Sequence, residues 1–79
     1  MDFPDKLDLE DMEMALKEWK LAGLHTLGPV EGDDIQRNLV MFIAVGEIRP
    51  KDDLMGWYWF TRYDLRDDTW VKVIDKEHH

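Results

Sequence analysis

Two apolar runs constrain this chain more than any other feature: Leu39-Val40-Met41-Phe42-Ile43-Ala44-Val45 and Leu54-Met55-Gly56-Trp57-Tyr58-Trp59-Phe60. Successive residues of a strand point to opposite sides, so each run, if extended, carries large apolar side chains on both faces. The remaining sequence offers one short amphipathic helix, enough to shelter a single face. The second face then requires cover from a copy of the chain or from a partner.

Seventy-nine residues make one domain. A domain of this size buries roughly 60% of its unfolded surface, which leaves a thin margin of stability. Hydrophobic residues at 44%, charged residues at 35% and four tryptophans mark a globular chain rather than a disordered one. Cysteine is absent, which removes disulfides and thiolate-ligated zinc and makes a reducing compartment the easier fit. The opening Met1-Asp2-Phe3-Pro4-Asp5-Lys6 lacks a basic segment leading into an apolar core, and no apolar run nears the roughly 20 residues of a membrane helix. The expectation is a cytoplasmic protein that contacts no membrane.

The net charge is −8, and the first twenty residues hold seven carboxylates against three lysines. Phosphate contacts need clustered Lys and Arg, so direct nucleic-acid binding is disfavoured. A basic partner is favoured, because opposite fields speed encounter and suppress wrong pairings. The plainer account is that the charge keeps a small apolar protein soluble.

A helix is predicted from about Leu9 to Ala22. Asp8 suits the N-cap, Glu10 and Asp11 complement the dipole in the first turn, and Gly23 suits the position after the C-cap. Leu9, Met12, Ala15, Leu16, Trp19 and Ala22 fall on one face in the i, i+3, i+4, i+7 pattern of a packed helix. Met14 and Leu21 fall on the far side among Glu10, Asp11 and Glu18. Leu24 to Val30 suits a short strand that Pro29 confines to a sheet edge, and Glu31-Gly32-Asp33-Asp34 has the composition of a turn. From Leu39 to Ile48 the β-branched residues favour a strand, although Ile35, Leu39, Phe42, Ile43 and Gly46 would also share a helix face. Further strands are expected from Leu54 to Tyr63 and from Thr69 to Asp75, joined by a turn over Asp64-Leu65-Arg66-Asp67-Asp68. The fold class is therefore α+β: one N-terminal amphipathic helix packed on a three- or four-stranded antiparallel β-meander. Residues 1–79 form one domain, with 1–7 and 76–79 expected to fray; His78-His79 reads equally as native sequence or as the stub of a purification tag.

Catalytic groups are few. There is no Cys and no Ser, and only Thr26, Thr61 and Thr69 carry an aliphatic hydroxyl. His25 follows the helix, where capping explains it as well as general-base chemistry does. The pairs Asp33-Asp34, Asp52-Asp53 and Asp67-Asp68 lack the alternate ligands, internal Gly and closing Glu of a calcium loop. No metal, cofactor or catalytic residue is assigned.

The aromatics are the densest constellation. On strict alternation, Met55, Trp57, Trp59, Thr61 and Tyr63 share one face of a strand, and Leu54, Tyr58, Phe60 and Arg62 share the other. One face is core. The other has the Trp, Tyr, Met and Arg mixture of an interface. The expected function is a small acidic, non-enzymatic protein-binding regulator or inhibitor of a basic, nucleic-acid-handling target. Trp57, Trp59 and Tyr63, or Met14 and Leu21 with Glu10, Asp11 and Glu18, are the expected partner-binding residues. The carboxylates would then stand in for DNA phosphates in one variant of this reading. The alternative is a homodimeric scaffold that pairs its uncovered sheet face, and an enzyme is a third reading with few residues to carry it. In composition alone the chain is similar to small acidic inhibitors of nucleic-acid enzymes and to nuclease-toxin immunity proteins, phage-encoded ones among them; no motif ties it to a family.

Overall fold

The computed structural model of the chain describes residues 2–34, 38–48 and 57–73, the side chains of Asp33, Asp34, Ile48 and Trp57 excepted. Along the chain run β1 (Lys6–Asp8), α1 (Leu9–Leu21), β2 (His25–Asp34), β3 (Asn38–Ile48), β4 (Trp57–Arg66) and β5 (Thr69–Val73). The five strands form one sheet in the order β1-β5-β4-β3-β2, and every pairing is antiparallel. The α+β class and the N-terminal helix on a meander-like sheet are as the sequence indicated.

Local chemistry sets the helix ends. The Asp8 side chain accepts a hydrogen bond from the Asp11 amide at 2.7 Å, satisfying one of the orphan donors of the first turn. At the other end Gly23 has φ 91°, its amide donates to the Lys20 carbonyl, and the Leu24 amide donates to the Trp19 carbonyl. This double closure turns the chain back so that Leu24 packs against the core. Met12, Ala15 and Trp19 are buried, Leu16 is half-buried, and Leu9 and Ala22 lie outside the packed stripe.

The core lies between α1 and one face of the sheet: Met12, Ala15 and Trp19 meet Ile43 and Val45 of β3, Tyr63 of β4 and Trp70 of β5. The register explains the match. Ile43 stands opposite Tyr63, Val45 opposite Thr61, and Leu65 opposite Trp70, so these side chains rise on the same side. Trp19 and Tyr63 stack with ring centroids 6.0 Å apart.

Four expectations need correction. The sheet has a fifth strand: Lys6, Leu7 and Asp8 pair with Val71, Trp70 and Thr69. The Lys72 ammonium holds this strand by donating to the Phe3 carbonyl at 2.9 Å and pairing with Asp5 at 3.1 Å. Glu31-Gly32-Asp33-Asp34 is not a turn but the second half of β2, paired with Met41, Val40, Leu39 and Asn38. Gly32 is needed there because the Phe42 ring lies where a side chain would stand. The turn after β4 is only Asp67-Asp68, with φ of 50° and 60°, the two-residue connection that matches strand twist. Finally, β4 does not alternate strictly. Val45 pairs with Thr61 but Gly46 pairs with Trp59, so Phe60 is an extra residue, a β-bulge. Pro29 sits on edge strand β2, at a second register shift between Leu27 and Val30, consistent with its lacking an amide to donate. Residues 35–37, 49–56 and 74–79 lie outside the described residues, and with them the expected turns at 49–53, the start of the strand from Leu54 and the end of the strand at Asp75.

Gly46 is the hinge of the bulge. A Cβ there would collide with the Tyr58 carbonyl oxygen and lie 3.0 Å from the Trp59 Cα, both backbone atoms that cannot swing aside. Gly46→Ala is therefore expected to lower the unfolding free energy by about 1–3 kcal/mol, read from the urea midpoint. The control Gly23→Ala has open space around its Cβ and should show only the left-handed backbone cost of about 1–2 kcal/mol.

Candidate binding surfaces

The outer side of α1 carries one surface. Met14 is 63% exposed and Leu21 is 90% exposed. Glu10, Asp11 and Glu18 are also exposed, as is Lys17 between Met14 and Leu21, so the apolar strip lies among three carboxylates and one ammonium. The strip follows from spacing: Met14 and Leu21 are seven residues apart, two turns along the face opposite Met12 and Trp19. Single exposed apolar side chains are common, but a pair on one line with an acidic border offers both burial and steering.

The sheet face away from α1 carries a second. By register, Leu27 and Val30 of β2, Phe42 and Ala44 of β3, Trp59, Arg62 and Asp64 of β4, and Val71 and Val73 of β5 share it. No helix covers it among the described residues. At its centre the Arg62 Nε donates to the Asp64 Oδ1 at 2.8 Å, and the guanidinium lies 4.3 Å from the Phe42 ring centroid. Arg62 and Asp64 are two apart on one strand and so project to the same side, and the small Ala44 opposite Arg62 leaves the guanidinium room to lean over Phe42. Asp64 is fully buried while the Arg62 side chain keeps 22% exposure, so the cation roofs the carboxylate.

The bulge redistributes the aromatics. Trp59 lies with Arg62 and Asp64, not with Tyr63 as strict alternation predicts. Tyr58 and Phe60 move to the helix side: their rings meet edge to face at 5.7 Å, and Phe60 lies 6.4 Å from Phe3, which in turn is 5.3 Å from Trp19. Trp57 pairs with Ile48 through its backbone, and its side chain is outside the described set. Tyr63 cannot serve as a contact residue, because it is fully buried. Its hydroxyl donates to the Pro4 carbonyl at 2.6 Å, which ties the N-terminal segment to the core. The sequence signal for the exchange was Gly46, a glycine inside an apolar strand, which marks a bulge or a close backbone approach.

Elsewhere the chemistry is sparse. His25 is exposed at the start of β2, opposite Gly46. No group of three or more His, Asp or Glu residues suited to a metal occurs among the described residues. Asp67-Asp68 is the hairpin turn, and Asp52-Asp53 is outside the described residues. No helix among the described residues is long and apolar enough to cross a membrane. No protein-family model, curated protein or solved structure matches the chain.

Two expectations follow from these sites. Arg62→Met takes the guanidinium from the buried Asp64 carboxylate and should cost about 3 kcal/mol; adding Asp64→Leu should recover much of that loss, as chemical denaturation of both variants would reveal. Burial first, and the Asp5 charge second, push the Tyr63 phenol up from 10.0 to about 12. The unfolded phenol loses its proton near 10, so the contribution of Tyr63 is whole below that pH and is lost as pH rises toward 12. Denaturation midpoints across that window should fall less for Tyr63→Phe than for the parent, and phenolate absorbance of the parent should show a late-titrating group that Tyr63→Phe lacks.

Proposed function

We propose that this chain is a small acidic, non-enzymatic binding protein that regulates or inhibits a basic protein target. The observation that carries the reading is the outward strip of Met14 and Leu21 on α1, bordered by exposed Glu10, Asp11 and Glu18. A net charge of −8 supports it from long range, since clefts and patches of the opposite sign are drawn to such a field. Apolar burial would supply affinity, and the carboxylates would set orientation and on-rate. A target that handles nucleic acid fits best, because its phosphate-binding surface is the commonest dense basic patch, and the helix carboxylates would then occupy phosphate positions. The cytoplasm is the proposed location, supported by a composition without cysteine.

The sheet face that no described helix covers favours a second reading, a homodimer in which the half-buried Phe42, Trp59 and flanking valines of two copies meet. Two-fold pairing is the commonest assembly, and it is compatible with a helix strip left free for the target.

The test is capture from the native lysate with parent and with Met14→Gln/Leu21→Gln, at about 0.1 M and about 1 M salt, where the screening length falls from about 10 Å to about 3 Å. One basic protein retained by the parent at low salt, and lost by the double variant and at high salt, is the expected result. Capture that ignores both the variant and the salt refutes the proposal. Light scattering at high concentration decides the second reading, which a strict monomer eliminates.

A further inference from the structure

Strand β3 keeps its pairing with β4 from Ile48 as far as Phe42, which stands opposite Asp64. Beyond Phe42 its register continues with β2 alone: Met41, Val40, Leu39 and Asn38 face Glu31, Gly32, Asp33 and Asp34. This end of the sheet is a two-stranded ribbon, and two strands by themselves are marginally stable in water. The outer strand of the ribbon is β2, the last of the sheet, paired with β3 and with no other described strand. Past the irregularity before Val30, the register from Val30 to Asp34 is unbroken, so alternate residues turn an amide and a carbonyl outward.

Charge and shape say what fits this edge. Edge strands are commonly blunted by lysine, but residues 30–34 hold no cation and three carboxylates, Glu31, Asp33 and Asp34. A second copy would bring the same carboxylates, and a nucleic acid would bring phosphates. Positions 31 and 33 fall on one side of the strand, and positions 30 and 32 on the other. The Phe42 ring reaches across the ladder to Gly32 and lies where a side chain would stand. An apolar residue laid beside Gly32 would meet that ring, in the way that aromatic groups cover edge glycines.

We infer that residues 30–34 of β2 receive an extended segment of a protein partner as a sixth strand, its basic residues alternating with apolar ones. Main-chain hydrogen bonds supply affinity, and alternate side chains select the partner. The basic residues meet the side of Glu31, and the apolar ones meet Val30 and the Phe42 ring. The added strand turns a two-stranded ribbon into a three-stranded one. The inference shares with the proposed function only the sign of the partner's charge; the surface is a different one.

The probe is a short capped peptide alternating Lys and Val, titrated into the isotope-labelled parent protein at low salt. Beside it run the same peptide N-methylated at every backbone amide, which keeps the charge and removes the donors, and a peptide with Glu in place of Lys. Hydrogen exchange at alternate amides of residues 30–34 should slow with the Lys peptide. The methylated and the Glu peptides should each bind at least about 10-fold more weakly. Glu31→Lys/Asp33→Lys should weaken the Lys peptide about 3- to 10-fold. The inference is overturned if the methylated peptide binds as tightly as the unmethylated one, if exchange over 30–34 is unchanged, or if the newly slowed amides lie at 38–41. Shifts confined to the surroundings of Met14 and Leu21 also overturn it, and there the proposed function survives while the edge site does not. Protection of 30–34 that grows with protein concentration and needs no peptide assigns the edge to a second copy, which again overturns it. If the edge takes the Lys peptide while the protein captures no basic partner, the edge site stands and the proposed function falls. The mapping is made on the parent protein, so a charge-reversed variant that fails to fold leaves the decision intact.

Discussion

Between Gly46 and the Tyr58–Trp59 backbone the two strands approach so closely that no side chain fits, and Phe60 is squeezed out of the pairing as an extra residue. That close approach decides which aromatics reach which side of the sheet. Before it, Trp59 turns toward the open face; after it, Thr61 and Tyr63 turn toward α1, and Phe60 leans with them. A strand of regular alternation would have put Trp59 beneath the helix and left Tyr58 and Phe60 on the far side. One backbone contact thus partitions an aromatic and apolar run between the two sides of the sheet.

The interior of so small a domain is completed by its first residues. Phe3 packs on Trp19, Leu7 packs beside the core, the Pro4 carbonyl takes the Tyr63 hydroxyl, and the Asp5 carbonyl accepts from the Lys72 amide at 2.8 Å. Phe3, Trp19 and Tyr63 form a row with two neighbouring ring contacts, one tilted and one stacked, each contributing about 0.5–1.5 kcal/mol beyond area burial. For a chain whose size allows little spare stability, a terminal segment fastened in this way is a structural member rather than a tail.

Much of this was legible in the sequence where the signal is local. Asp8, Gly23 and the Met12–Ala15–Trp19 stripe specify α1 to within a residue, because capping and amphipathicity act over a few positions. The strand expected over Leu39–Ile48, found at Asn38–Ile48, followed from its β-branched residues although a helix face was also present, and Pro29 on an edge from its missing donor. The features that escaped are non-local. Strand β1 exists only because β5 presents an open edge and Lys72 reaches back to Phe3 and Asp5. The β2 extension through Asp34 depends on Gly32 fitting under Phe42, a contact across the ladder. The exchange of Trp59 for Tyr58 and Phe60 traces to the bulge, whose sequence mark is a lone glycine on the neighbouring strand, and the burial of Tyr63 to its place opposite Ile43 under α1. Met14 and Leu21, by contrast, needed nothing but helical geometry to be placed outside.

Strand β2 has one side paired with β3 and the other at the rim of the sheet. Its line is broken at Gly28-Pro29, where the register shifts, and its second half carries Glu31, Asp33 and Asp34. Two molecules meeting rim to rim would find no uninterrupted row of amides and would bring like charges together. The sheet therefore ends where the chain ends it: the border at β2 offers an approaching strand a broken and acidic row to pair with.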